Sequence, residues 1–112
     1  MAIHHASSGE VIDIHPRRSQ LAESVTSTLV KSEQLEVIRL MLPAGKEIPS
    51  HKVARPITVQ CLEGRVEFQS YGKWQTLEPG QLLYLEGGQL HAVKGIEDAS
   101  VLVTIQLLPK NA

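Results

Sequence analysis

Residues 43–68 read PAGKEIPSHKVARPITVQCLEGRVEF, and this stretch carries the strongest structural signal in the chain. From Ile57 onward it alternates with a period of two. Ile57, Val59 and Cys61 fall on one face and Thr58, Gln60 and Leu62 on the other, and the first set suits an interior. Gly45 and Gly64 bracket the stretch where the chain must turn sharply, and a residue free to take positive φ turns without steric cost. Working outward, the same strand character recurs nearly everywhere, while no long window shows a helical period of 3.6. The expected strands are Glu10–Ile14, Ser24–Val30, Leu35–Leu42, Ile57–Leu62, Arg65–Ser70, Gln81–Glu86, His91–Val93 and Ser100–Leu108. Between them stand Pro43-Ala44-Gly45, Glu63-Gly64, Tyr71-Gly72-Lys73 and Glu78-Pro79-Gly80, all with turn chemistry. Arg17–Glu23 is read as a connector with at most one helical turn. Many short strands so punctuated give an all-β class, as a sandwich, jelly roll or barrel, because closure or face-to-face packing removes exposed edges. An immunoglobulin-like sandwich is the main competitor.

A chain of 112 residues with 42% apolar residues fits one compact domain, expected over residues 9–112, with residues 1–8 (MAIHHASS) as a flexible segment. So small a domain buries a modest fraction of its surface. A homodimer is therefore expected, a prediction the apolar final strand Val101–Leu108 also motivates. Eleven basic against twelve acidic residues supply no electrostatic reason to bind nucleic acid or an anionic membrane. No apolar run approaches the roughly 18 to 20 residues that cross a bilayer, and the N-terminus lacks the pattern of a signal peptide, so a cytoplasmic location is expected. Cys61 is the single cysteine, which excludes an intramolecular disulfide; inside ITVQCL it reads as a buried strand residue and not as a nucleophile.

Of the five histidines, His4, His5 and His15 lie near the N-terminus and read as solvated. The other two are better placed. His51 follows Gly45 by six residues, and His91 follows Gly88 by three in PGQLLYLEGGQLHAVKG, residues 79–95. These two stretches resemble the two motifs of the cupins, G-x5-H-x-H-x3-4-E-x6-G and G-x5-P-x-G-x2-H-x3-N. Gly45, His51 and Gly64 match the first; Gly80, Gly88 and His91 match the second. The resemblance spans about residues 35 to 108 and implies a small cupin-2 type protein with a single RmlC-like jelly-roll barrel. It also implies that His51 and His91 face each other across the barrel mouth.

The family pattern places three His and one Glu around one divalent metal, a donor set that suits Mn, Fe, Ni, Cu or Zn. Here Val53 stands at the second His position and Ile57 at the Glu position, and neither offers a lone pair. Glu86 and Gly95 replace the Pro and Asn of the second motif. His51 and His91 are thus the only matched metal ligands. Glu86 is considered as a third donor, with a surface carboxylate as the plainer reading; Gln60 points to the opposite face. The expected pocket lining is His51, Val53, Arg55, Ile57, Val59, His91 and Val93. Arg55 has the planar fork that binds carboxylate or phosphate, although it, Lys52 and Glu47 also read as solvated loop charges. Trp74 and Tyr84 read as packing residues. Three functions remain open. One is a binding module holding a small organic ligand in an apolar barrel. The second is a metal-dependent oxygenase, isomerase or lyase with a two-His site. The third is a metal-free catalyst using His51 or His91 as acid or base.

Overall fold

The computed structural model describes residues 5–107 and holds seven antiparallel strands. They are β1 (Ser27–Lys31), β2 (Leu35–Leu42), β3 (Glu47–His51), β4 (Ile57–Ser70), β5 (Lys73–Leu77), β6 (Leu82–Leu85) and β7 (His91–Gln106), preceded by a short 3-10 helix, Arg18–Glu23. The all-β expectation holds. Residues 1–4 of the expected flexible segment, His4 among them, and residues 108–112 of the expected domain, Leu108 among them, lie outside the described residues.

The long strands β4 and β7 organise everything else. The first half of β4 runs between β6 and the second half of β7, with Ile57 opposite both Leu85 and Ile105. Its second half runs between β5 and the first half of β7, with Phe68 opposite both Gln75 and Val93. β2 and β1 extend the first half-sheet; β3 flanks the second. The two halves fold over one cluster that includes Val59, Cys61 and Val101 from one half and Val66, Phe68 and Val93 from the other. This core sits between two faces of a sheet turned back on itself.

The bend has a visible cause in the sequence. Buried positions along β4 run 57, 59, 61, 63 and then 66, 68, 70. The burial period slips by one residue at Gly64 and Arg65, within the stretch from Cys61 to Val66 over which the pairing register with β7 shifts. An extra residue in one strand turns it while keeping both halves' apolar sets inward. Gly64 has φ +76°, and a Cβ there would lie 2.7 Å from Ala99 Cα and strike the Asp98 carbonyl oxygen. Only glycine meets both conditions.

Several expected boundaries change for related reasons. Ile57–Leu62 and Arg65–Ser70 are one bulged strand, because Gly64 bends the strand and does not end it. His91–Val93 and Ser100–Leu108 likewise join into β7. Glu10–Ile14 is not a strand: its alternating apolar residues find no sheet edge, and Val11 is 91% exposed. Two strands went unforeseen. β3, EIPSH, contains Pro49, tolerated because β3 pairs on one side only. β5, KWQTL, is a mostly exposed edge strand reached by a tight turn in which Tyr71 and Gly72 both have positive φ, so that Ser70 pairs with Lys73. Trp74 and Tyr84 project outward, 41% and 63% exposed, and do not pack in the core. Cys61 is fully buried, and burial raises its thiol pKa.

Candidate functional site

Alternation on β2, β4 and β7 aims one side chain in two into the space between the half-sheets, and where the halves diverge a cavity of about 190 Å³ remains. Ile38 and Leu40 come from β2, Ile57, Val59 and Phe68 from β4, and Val93, Val101, Val103 and Ile105 from β7. Ile48 and Val53 complete the apolar lining, and among the described residues His51 and His91 are its only polar side chains.

The two histidines meet because the sheet register makes them neighbours. His51 ends β3, His91 begins β7, and the two are paired across the ladder. Their ring centroids lie 4.3 Å apart with planes tilted by 58°. His91 is buried, and its ring stacks on Phe68 at 5.4 Å with planes 10° from parallel. Burial pushes the His91 pKa below the usual imidazole range; the neighbouring His51 pushes the same way, and the hydrogen bond to Gln89 opposes them.

Each ring is fixed by a hydrogen bond to the backbone two residues earlier. His51 Nδ1 lies 3.0 Å from the Pro49 carbonyl oxygen and His91 Nδ1 lies 3.1 Å from that of Gln89. A carbonyl only accepts, so each neutral ring carries its hydrogen on Nδ1 and leaves a lone pair on Nε2. The result is two backbone-fixed acceptors at one edge of an apolar chamber.

This donor set falls short of a transition-metal site. Val53 and Ile57, which occupy the positions where a family ligand would stand, line the same cavity with aliphatic carbon. Among the described residues no group of three or more His, Cys, Asp or Glu side chains is placed to hold a metal ion. Glu86 is exposed and is absent from the cavity lining, as are Glu47, Lys52 and Arg55. Arg55 therefore stands apart from the other six expected lining residues, His51, Val53, Ile57, Val59, His91 and Val93, which the fold brings together. Gln60 lies on the outward face of β4, opposite Leu82 and Leu102.

Sequence reasoning missed Phe68 and the lining from β2 and the second half of β7, although the alternation Val101, Val103, Ile105 was a usable signal. It also missed a second polar cluster. Arg39, Glu63 and Ser100 are buried together on the outer side of β2, β4 and β7. The Glu63 carboxylate accepts from the backbone N–H of Arg17 at 2.8 Å and of Arg18 at 2.9 Å, from Ser100 Oγ at 2.9 Å and from Arg39 Nη2 at 3.3 Å. Arg39 Nη2 also donates to the His15 carbonyl at 2.6 Å. Burial alone would raise the Glu63 pKa, but the two backbone N–H groups, Ser100 and Arg39 hold it below the usual carboxylate range. The cluster pins residues 15–18 across the sheet. A charged residue inside the apolar strand LEVIRLML was its only trace in the sequence.

A family model described as Cupin domain matches residues 38–105. No curated protein sequence matches the chain. Among solved structures, a conserved protein of unknown function from Streptococcus pyogenes is similar at TM-score 0.74 and 22% identity, covering 96% of each chain. An RmlC-like cupin family protein with a double-stranded β-helix fold from Methanocaldococcus jannaschii is similar at TM-score 0.73 and 16% identity, covering 92% of this chain and 97% of its own. An RmlC-like cupin protein from Desulfovibrio desulfuricans gives TM-score 0.68 and 24% identity over 92% of this chain and 97% of its own. At these identities the likeness concerns the fold.

Proposed function

Since the chain belongs to the cupin domain family, we propose that it uses the family's barrel as a binding module, holding a small organic molecule in the cavity with its polar end against His51 and His91. The observation that carries this reading is the lining: aliphatic side chains and Phe68 everywhere except for two adjacent imidazoles. An apolar cavity of about 150 Å³ is enough to bind benzene, so about 190 Å³ suits a ligand of roughly six to ten non-hydrogen atoms. A thermal-shift screen of small organic molecules tests it, repeated on Val103→Phe, which fills the cavity. Stabilisation of the parent and none of the variant is expected. A panel that stabilises neither protein, or both equally, contradicts the reading.

The metal-dependent reading rests on the two adjacent imidazoles, each with Nδ1 spent on a backbone carbonyl, and needs a third donor from outside the cavity lining. Elemental analysis of untagged protein and of His51→Ala and His91→Ala decides it: stoichiometric metal that both variants lose would favour a metal site over a dry pocket.

The binding module also pairs with a second copy of itself. In support, Leu82 and Tyr84 stand exposed side by side on the outer face of β6, whose far edge is unpaired among the described strands. Light scattering at micromolar concentration should give twice the chain mass, and a monomer overturns this point.

A further inference from the structure

Resting on the ligand-binding reading above, we infer that the cavity selects small apolar molecules headed by a hydrogen-bond donor, such as a phenol or an alcohol, over carboxylates and hydrocarbons of the same size, because His51 and His91 both meet it as acceptors.

A neutral imidazole has one N–H and one lone pair. In both rings the N–H is already spent, on the Pro49 carbonyl at 3.0 Å and the Gln89 carbonyl at 3.1 Å. What remains for a ligand is the Nε2 lone pair of each ring, and the rings stand 4.3 Å apart, centroid to centroid. Elsewhere, among the described residues, the lining side chains carry no hydroxyl, amide, carboxylate or cation. The described side chains therefore offer a ligand acceptors and no donors.

Each ligand class meets this arrangement differently. A carboxylate would leave water to face two lone pairs, with nothing to donate to it and no cation to balance it. A hydrocarbon would fill the space but cover the lone pairs without satisfying them. A hydroxyl donates to one Nε2 while its apolar body takes the aliphatic space. The Phe68 and His91 rings, stacked at 5.4 Å, present flat walls against which an aromatic body packs.

Three probes of matched shape test this by titration calorimetry on the full chain in a buffer containing EDTA: 4-methylphenol, 1,4-dimethylbenzene and 4-methylbenzoate. The first should bind about tenfold more tightly than the second, the margin of one satisfied hydrogen bond, and the third most weakly. In His51→Phe, at an exposed position, and in His91→Phe, the phenol's margin should shrink to about threefold or less as one acceptor is lost. Equal affinity for phenol and hydrocarbon, or tightest binding of the benzoate, overturns the inference while leaving an organic-ligand cavity standing. No binding of any probe up to millimolar concentration overturns both the inference and the reading beneath it.

Discussion

Strand β7 carries polar residues of two kinds, and the contrast between them separates a site from a structural network. On the outer side, Ser100 joins Arg39 and Glu63, and the Glu63 carboxylate collects four donors from the protein itself. At the inner end, His91 joins His51 in the cavity lining, and both rings spend Nδ1 on backbone carbonyls and keep the Nε2 lone pair. Both clusters set polar side chains side by side, three buried ones in the first and the buried His91 beside the exposed His51 in the second. What differs is where the hydrogen-bonding capacity goes: the first cluster spends it on chain packing, while the second spends only Nδ1 on the backbone. A buried charge cluster whose carboxylate finds its donors within the protein is thus weak evidence of function, and the proposed binding module rests on the histidine pair instead.

If the outer cluster is structural, breaking it should produce the largest effect on stability. Glu63→Ala leaves the Arg39 guanidinium buried without its counter-charge, and Arg39 Nε and Nη1 already have no partner among the described residues. A loss of about 3–5 kcal/mol is expected by urea denaturation. A loss under about 0.5 kcal/mol, the range of an ordinary surface substitution, would erase the contrast.

Acid should affect the two clusters in successive windows. His91 is held neutral in the fold, its pKa lowered from 6.5, so stability is full above that value and declines as pH falls below it. Glu63 is held ionised, its pKa lowered from 4.5, so its contribution is present above that value and fades as pH falls through it toward the depressed folded value. Melting temperature against pH should show both limbs. His91→Phe should remove the upper limb and Glu63→Gln the lower; one limb surviving both substitutions would reject the assignment.

Filling the cavity should act the other way round, with a smaller cost in stability and a total cost in binding. Val103→Phe adds volume where the lining is partly buried, so about 1–3 kcal/mol of overpacking is expected in denaturant melts together with loss of 4-methylphenol binding. His51→Phe should be smaller still. An exposed ring replaced by a ring changes stability within about 0.5 kcal/mol while reducing selectivity among ligands.

Much of this architecture was legible in residues 43–68 and 79–95. Alternation around Ile57, Val59 and Cys61 gave the interior face, and the glycine spacing placed His51 and His91 in two matching motifs. The rest was hidden for physical reasons. Gly64 looks like a strand terminator but makes a bulge, because its positive φ turns the chain without breaking the ladder. Pro49 and the polar run KWQTL hide edge strands, which need neither a full set of N–H donors nor an apolar face. Glu10–Ile14 has a strand's pattern without a strand's neighbour, which no local signal reports. The tautomers of the two histidines depend on carbonyls at Pro49 and Gln89 whose direction is set by the folded backbone, so the chemistry of the pair appears only in the fold.

Long-range proton–nitrogen NMR on imidazole-labelled protein near pH 7.5 tests the central claim most directly, since it reads which ring nitrogen carries the hydrogen. His51 and His91 should both show a protonated Nδ1 and a bare Nε2, and added 4-methylphenol should move an Nε2 signal. A hydrogen on Nε2 of either ring, or Nε2 signals unmoved at saturating phenol, would contradict the account.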